Sequence, residues 1–131
     1  MKNNILYLDD EEPLAVLMKR MLEHLGHRVS AFTRSEDALL AFKAAPADFD
    51  LVLSDLSMPG MSGIEFAEHV RAVRPDTLVV IVTGHVQDKD IVRAREVGVH
   101  QVIQKPNNLA DMARTVAQLL AERGANPAAD T

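Results

Sequence analysis

The chain contains no cysteine among its 131 residues, and its formal net charge of −5 leaves basic residues in the minority. Without cysteine it can form neither a disulfide bond nor a thiolate metal site. Lysine and arginine also form no run in the sequence. Because binding of nucleic acid without sequence preference depends on clustered positive charge, we expect no nucleic-acid partner for this chain.

Long hydrophobic runs are also missing. The strictly apolar run at residues 78–82 is far too short to cross a bilayer, and the apolar stretch that begins at Ile5 is too short for the core of a signal peptide. We therefore expect no membrane association and a cytoplasmic location. With 47% apolar residues the chain can bury one substantial core. The predicted organisation is one domain over residues 4–122 followed by a disordered tail over 123–131.

Hydrophobic periodicity predicts five β-strands that alternate with five α-helices. Continuous branched apolar runs suit strands that are buried on both faces of a parallel sheet. Such an alternation requires right-handed crossovers, with helices covering both sides of the sheet. The predicted fold is therefore α/β. Its expected strands are residues 5–8, 28–32, 49–54, 78–82 and 99–104.

The predicted helices begin at polar or acidic residues. Ser62 and Glu65 have the spacing of a capping box, in which each side chain binds the other's backbone N–H group. The remaining helices are expected to begin beside Glu11 and Glu12, at Ser35, at Asp88, and at Asn107 or Asn108. On the first helix an apolar stripe includes Leu14 and Leu17, which could either pack in the core or contact a partner.

Polar side chains follow four of the predicted strands. Asp9 and Asp10 follow the first strand, Asp55 the third, Thr83 the fourth and Lys105 the fifth. Because the carboxyl ends of parallel strands meet at one edge of the sheet, these residues should converge there. Clustered carboxylates favour a hard divalent cation such as Mg²⁺, and a hydroxyl and an ammonium suit phosphoryl oxygens.

In order and spacing, residues 4–121 resemble the receiver domain of bacterial two-component response regulators. The motifs that carry the resemblance are Asp9-Asp10, Asp55 with Met58-Pro59-Gly60 and Gly63, Thr83-Gly84, and Lys105-Pro106. The resemblance implies a flavodoxin-like three-layer (βα)5 sandwich whose parallel sheet has the order 2-1-3-4-5. It also implies that Asp55 accepts a phosphoryl group from a phosphohistidine on a sensor histidine kinase or a histidine phosphotransfer protein.

The same resemblance assigns roles to individual residues. Asp10, Asp55 and the backbone carbonyl of Ser57 would bind Mg²⁺, or Mn²⁺ in its place, with Asp9 acting largely through water. Thr83 and Lys105 would hold phosphoryl oxygens. Phosphoryl transfer depends mainly on positioning and charge neutralisation, which the cation and Lys105 can supply. Gly84, Ser57 and His85 would tune access to the site and the lifetime of the phosphoryl group.

Two features depart from the family pattern. Receivers usually carry tyrosine or phenylalanine three residues before the lysine, and here that position is Val102. The usual aromatic relay is therefore absent. In addition, only about ten residues follow the expected domain, so we expect a receiver without an output domain on this chain, either stand-alone or part of a larger protein.

Other classes of protein remain as alternatives. A receiver-like interaction module could work without phosphorylation. An aspartyl-phosphate phosphatase of the haloacid-dehalogenase type would need a second aspartate two residues after Asp55, where the chain has Ser57. A dinucleotide-binding module would need a glycine-rich turn after the first strand, where the chain has acids. We therefore expect a signalling module and not a turnover enzyme.

Overall fold

In the computed structural model, which describes residues 3–105 and 109–125, strands and helices alternate along the chain as predicted. The strands are β1 (Asn4–Leu8), β2 (Arg28–Phe32), β3 (Leu51–Asp55), β4 (Val79–Thr83) and β5 (Gln101–Gln104). The helices are α1 (Glu12–His24), α2 (Ser35–Ala44), α3 (Gly63–Val73), α4 (Asp88–Glu96) and α5 (Leu109–Ala125). A short 3-10 turn, Pro46–Asp48, precedes β3.

All strand pairs in the sheet are parallel, and the strand order is β2-β1-β3-β4-β5. The predicted flavodoxin-like fold and its strand order are therefore confirmed. Successive side chains point to opposite faces of a strand, so each central strand contributes to two cores. On β1, Ile5 and Tyr7 pack with α1 and α5, whereas Leu6 and Leu8 pack with α2, α3 and α4.

Strands β3 and β4 each end one residue later than the hydrophobic pattern predicted, at Asp55 and Thr83. Asp55 pairs with Val82 and Thr83 pairs with Gln104, so both polar residues belong to the sheet itself. The reason is that backbone hydrogen bonding continues past the apolar residues, for example from the Leu56 N–H to the Val82 carbonyl at 2.9 Å. The predicted starts at residues 49, 78 and 99 were also wrong, since β3, β4 and β5 begin one or two residues later.

The capping box at Ser62 and Glu65 is confirmed by hydrogen bonds in both directions. Ser35 and Asp88 do not cap their helices, because each is already the first helical residue. The capping positions fall on Arg34 and Gln87, whose backbones are extended and whose side chains form no capping hydrogen bond.

The last helix is longer than predicted. α5 continues to Ala125, beyond the expected domain boundary at residue 122. The predicted start at Asn107 or Asn108 and the tail from residue 126 onward lie outside the described residues. Among the helices that the structure describes, none is both long and apolar enough to cross a membrane.

Helix α1 separates its apolar residues into an inner and an outer set. Ala15, Met18 and Leu22 are buried against the sheet and α5. Leu17 is 46% exposed and Val16 is 43% exposed. Both lie on the outer side of the helix because consecutive helical residues point about 100° apart. Leu14 is half-buried. Of the two roles considered for Leu17, core packing is therefore excluded.

Candidate functional site

Three carboxylates meet at the carboxyl edge of the sheet. Asp9 and Asp10 follow β1, and Asp55 is the last residue of the neighbouring strand β3. One carboxylate oxygen from each acid lies within 4.8 Å of the others. The parallel topology thus brings together acids that are 45 residues apart in the chain. Asp9 and Asp55 are buried, whereas Asp10 is exposed to solvent.

Asp9 is fully buried, and both of its carboxylate oxygens accept hydrogen bonds. The Tyr7 hydroxyl donates to Oδ2 at 2.9 Å, and the Glu11 backbone N–H donates to Oδ1 at 3.0 Å. The backbone N–H of Asp9 also donates to the Phe32 carbonyl at 3.1 Å, which ties the turn after β1 to the end of β2. The carboxylate therefore has a fixed orientation at the floor of the site.

Lys105 is the cation of the cluster. Its Nζ atom lies 3.1 Å from Asp55 Oδ1 and 3.5 Å from Asp9 Oδ2. The backbone N–H of Lys105 donates to the Thr83 carbonyl at 2.7 Å, so the residue continues the pairing of β5 with β4. One ammonium group therefore faces two of the three acids, which leaves the cluster with an excess of negative charge.

Burial and the neighbouring charges shift the pKa values of three groups at the site. Burial raises the pKa of Asp55, and the charges of Asp9 and Asp10 add to that effect while Lys105 opposes it. Burial by itself would lower the pKa of Lys105, but the charges of Asp55 and Asp9 outweigh burial and raise it. The pKa of the Tyr7 hydroxyl is raised by burial and by the neighbouring Asp9 charge. Lys105 therefore stays protonated and Tyr7 stays a hydrogen-bond donor at neutral pH.

Thr83 is the buried last residue of β4. Its hydroxyl interacts with the backbone of the following turn, since Oγ1 lies 3.3 Å from both the N atom and the carbonyl oxygen of His85. Gly84 and His85 are exposed. A β-carbon on Gly84 would meet no atom within 4 Å, so the turn beside Thr83 is open above that glycine.

The remaining predicted site residues lie around this centre. Ser57 is exposed in the loop between β3 and α3. Val102 lies in β5, opposite Ile81 of β4, and packs half-buried against the core beneath α2, α3 and α4. The structure thus joins Asp9, Asp10, Asp55 and Lys105 by direct contacts or short distances, and places the other predicted residues on the surrounding strands and loops.

Two residues of the site were missed from the sequence. The hydrophobic pattern places Tyr7 in the first strand and assigns no role to its hydroxyl, although its position two residues before Asp9 on one strand face is a usable signal. Gly63 was noted for its place in the motif, but not for its packing against the backbone of Asp55. A β-carbon on Gly63 would lie 2.2 Å from the Asp55 carbonyl oxygen.

The arrangement of oxygens fits a hard divalent cation. Mg²⁺ prefers carboxylate, carbonyl and water oxygens, and it commonly retains several waters. The exposed Asp10 and the partly accessible Asp55 provide carboxylates on the solvent side of the fixed Asp9. The donors are oxygen atoms throughout, which also suits Mn²⁺.

Comparison with known proteins identifies the family. The model of the response regulator receiver domain matches residues 5–117. The chain belongs to this family. Its fold is that of a receiver from Methanospirillum hungatei described as CheY-like, with a TM-score of 0.83, 27% identity, and coverage of 96% of this chain and 99% of that one. Receiver domains act in two-component signalling, and the family resemblance inferred from the motifs is confirmed.

The curated relatives match this chain over only part of their own length. This receiver is 35% identical over 104 residues to the C4-dicarboxylate transport transcriptional regulatory protein DctD of Rhizobium meliloti, covering 79% of this chain and 22% of DctD. It is 31% identical over 119 residues to the sensory/regulatory protein RpfC of Xanthomonas campestris, covering 88% of this chain and 16% of RpfC. The chain therefore spans less than a quarter of the length of either relative.

Proposed function

We propose that this receiver accepts a phosphoryl group on Asp55 from a phosphohistidine of a sensor histidine kinase or a histidine phosphotransfer protein. The observation that carries the proposal is the pairing of Asp55 with Lys105 at 3.1 Å inside a cluster of three carboxylates. A structural aspartate with one ion-pair partner would not need two further acids beside it. Membership of the receiver family supports the same role.

The proposed reaction is a phosphoryl transfer between two side chains. A carboxylate oxygen of Asp55 forms a bond to phosphorus while the bond from phosphorus to the donor imidazole nitrogen breaks, and that nitrogen keeps the electron pair. Later attack of water on phosphorus returns the free carboxylate and inorganic phosphate. Each transfer modifies the protein itself, so we assign no turnover of an external substrate.

Asp10, Asp55 and the backbone carbonyl of Ser57 are the proposed direct ligands of Mg²⁺ or Mn²⁺, with Asp9 acting through water. When bound, the cation would neutralise the carboxylates and the phosphoryl oxygens. The hydrogen bonds to Asp9 from Tyr7 and from the Glu11 backbone hold that carboxylate in place for this task.

Lys105 and Thr83 are the proposed binding groups for phosphoryl oxygens. The Lys105 ammonium already lies beside Asp55. It can therefore stabilise negative charge that develops on the phosphoryl oxygens during transfer without a large movement. The Thr83 hydroxyl is held only by 3.3 Å contacts within its own turn, which makes it available for rotation toward a new acceptor. Gly84, His85 and Ser57 border the site, and we propose that they set access and hydrolysis rate.

The consequence of phosphorylation would be a change in binding to a downstream protein partner. The chain matches receivers within a transcriptional regulatory protein and a sensory/regulatory protein, so the same module occurs in different contexts. The alternative is an interaction module that works without phosphorylation. The complete set of acids and the lysine favours phosphorylation over this alternative. An aspartyl-phosphate phosphatase is disfavoured because its second aspartate, two residues after the nucleophile, is Ser57 here.

One labelling experiment tests the proposal. The protein is incubated with Mg²⁺ and acetyl phosphate, and its mass is measured with and without EDTA. We expect one added phosphoryl group that is lost in base, and no addition in Asp55→Asn. Asp37→Asn, which changes an exposed aspartate on α2, should be labelled like the wild type. Equal labelling of Asp55→Asn would remove Asp55 from its role, and no labelling of the wild type would favour the interaction module.

A further inference from the structure

Tyr7 reaches the acid cluster from the core of the protein. Its side chain is 3% exposed and packs in the core between the sheet, α1 and α5. Its hydroxyl nevertheless donates to Asp9 Oδ2 at 2.9 Å. Tyr7 and Asp9 lie two residues apart on the same side of the chain, so the ring lies beneath the carboxylate. A phenylalanine would fill the same apolar space, which means that packing alone does not explain the hydroxyl.

The Asp9 oxygen that accepts the Tyr7 hydrogen bond is also the Asp9 oxygen that faces Lys105. Asp9 Oδ2 lies 3.5 Å from the Lys105 ammonium, whereas Asp55 Oδ1 lies nearer to it, at 3.1 Å. Two buried acids thus compete for one cation. The Tyr7 hydroxyl donates a hydrogen bond to Asp9 Oδ2 and so occupies part of that oxygen's hydrogen-bonding capacity. The hydrogen bond thereby reduces the attraction of Asp9 Oδ2 for Lys105.

We propose that Tyr7 is a positioning residue that fixes the Asp9 carboxylate for the divalent cation and leaves Lys105 directed at Asp55. This inference rests on the proposed function, since it assigns Asp9 and Lys105 the roles given above. Groups that orient metal-binding side chains through hydrogen bonds commonly affect metal affinity by about tenfold or more when they are removed. Without the hydroxyl, Lys105 would be drawn toward Asp9 and would compete there with the cation.

The sequence provides a direct optical test. Tyr7 is the single tyrosine of the chain, and the chain has no tryptophan. Its fluorescence therefore reports one hydroxyl. A carboxylate that accepts a hydrogen bond from a phenol quenches the emission of that phenol, and neutralisation of the carboxylate by a cation weakens the quenching. In the wild-type protein we expect tyrosine emission to rise on titration with Mg²⁺ and to saturate, and Asp9→Asn to start from a higher emission.

The second measurement is Mg²⁺ affinity by isothermal titration calorimetry on the wild type and on Tyr7→Phe. We expect the dissociation constant of Tyr7→Phe to be about tenfold higher. Thr77→Val is the matched control, because the Thr77 hydroxyl is buried and donates to the Arg74 carbonyl at 2.8 Å just before β4, at the opposite edge of the sheet. This control should lose thermal stability while it keeps the wild-type affinity for Mg²⁺.

The outcomes separate this inference from the proposed function. Equal Mg²⁺ affinities for the wild type and Tyr7→Phe, or a tyrosine emission that does not respond to bound Mg²⁺, would overturn the role of Tyr7 while Asp55 could still be labelled by acetyl phosphate. A wild-type protein that binds no Mg²⁺ would overturn both. A weakened affinity in Tyr7→Phe together with an unchanged affinity in Thr77→Val would support the positioning role.

Discussion

Gly63 packs against the backbone of Asp55, so that a β-carbon at Gly63 would lie 2.2 Å from the Asp55 carbonyl oxygen. The Gly63 N–H also donates to the Leu56 carbonyl at 2.8 Å, which closes the loop that follows Asp55. The first residue of α3 is thereby anchored to the end of β3. The atom that a side chain would meet is backbone, which cannot move aside as a flexible side chain would.

We predict that Gly63→Ala is destabilised, because the added methyl group forces the β3 and α3 backbones apart. Overpacking of this kind costs about 1–3 kcal/mol in the free energy of unfolding. Chemical denaturation of Gly63→Ala and Gly84→Ala measures the difference. The second variant is the control, since a β-carbon at Gly84 would meet no atom within 4 Å. Equal stability of Gly63→Ala and the wild type would show that the loop has room to shift.

The raised pKa of Asp55 predicts a pH-dependent effect on stability. Burial is the main cause, supported by the charges of Asp9 and Asp10 and opposed by Lys105. An acid with a higher pKa in the folded state binds its proton more tightly when folded. Its contribution to stability is therefore greatest below its unfolded pKa and is lost as the pH rises through the folded pKa. At pH 7 the ionised Asp55 destabilises the metal-free protein.

We therefore expect metal-free Asp55→Asn to melt at a higher temperature than the wild type at pH 7. The gap should narrow as the pH falls through the ordinary aspartate pKa of 3.8, because Asp55 is neutral in both the folded and the unfolded state only below that value. Thermal melts in EDTA across this pH range measure the effect. Asp37→Asn should lower stability slightly, by no more than about 1 kcal/mol, because Asp37 is an exposed acid in the first turn of α2. A lower melting temperature for Asp55→Asn at pH 7 would mean that the pairing of Asp55 with Lys105 outweighs the cost of its burial and the repulsion by Asp9 and Asp10.

Mg²⁺ should stabilise the protein by mass action, because the three acids are brought together only in the folded state. At ten times its dissociation constant the ion adds about 1.4 kcal/mol to the free energy of unfolding. Asp10→Ala should blunt the rise in melting temperature, since it removes the exposed carboxylate of the cluster. Asp37→Ala should keep the full response. A melting temperature that does not change when Mg²⁺ is added would argue against the metal site.

The topology of the fold explains why much of the site could be predicted. Once five parallel strands are recognised, the acids at the carboxyl ends of β1 and β3 and the lysine after β5 must share one edge of the sheet. Hydrophobic patterns do not reveal which polar group binds which. Side-chain positions that differ by a few tenths of an ångström decide these contacts. They determine whether Tyr7 binds Asp9 and how two acids share Lys105.

The ends of the strands were less predictable, because backbone pairing does not depend on whether a side chain is apolar. Asp55 and Thr83 are polar, so an apolar pattern ends before them, yet the backbone pairing of their strands continues. Leu17 shows the opposite difficulty, because it belongs to the apolar stripe of the predicted helix and yet does not face the core. Its orientation depends on how α1 packs between β2 and α5.

Leu17 is the better of the two predicted contacts for a phosphodonor protein. It is 46% exposed on α1, whereas Leu14 is half-buried. α1 begins beside the acid cluster, so a donor that approaches Asp55 passes over its first turns. We predict that Leu17→Asp slows transfer from a phosphohistidine protein by about tenfold, as expected when an interface loses an apolar anchor. Labelling by acetyl phosphate should stay near the wild-type rate.

The matched control for this experiment is Leu40→Asp. Leu40 is 67% exposed but lies on α2, so its change adds the same charge away from the proposed contact. Transfer from the phosphohistidine protein should be nearly unaffected in this variant. Equal slowing in both variants would indicate a general effect of negative charge, and loss of acetyl phosphate labelling in Leu17→Asp would indicate a damaged fold.

Val102 determines where the structural response to phosphorylation should appear. The residue is half-buried on β5 and packs against the core beneath α2, α3 and α4. Valine is short, and its branched β-carbon restricts it to few rotamers. It cannot swing between an inward and an outward position as an aromatic ring can. Movement of Thr83 toward a phosphoryl group should therefore leave the Val102 side chain nearly in place.

The response should instead pass through the turn after β4. The Thr83 hydroxyl interacts with the backbone of His85, so rotation of the hydroxyl toward a phosphoryl oxygen breaks those 3.3 Å contacts and frees the turn that leads to α4. We predict that amide chemical shifts, compared with and without a beryllofluoride mimic of the phosphoryl group, change most over residues 55–63 and 83–97. Thr83→Val lacks the hydroxyl and should lose the second set of changes while it keeps the first. Changes centred on Val102 and α5, with residues 83–88 unaffected, would contradict this route.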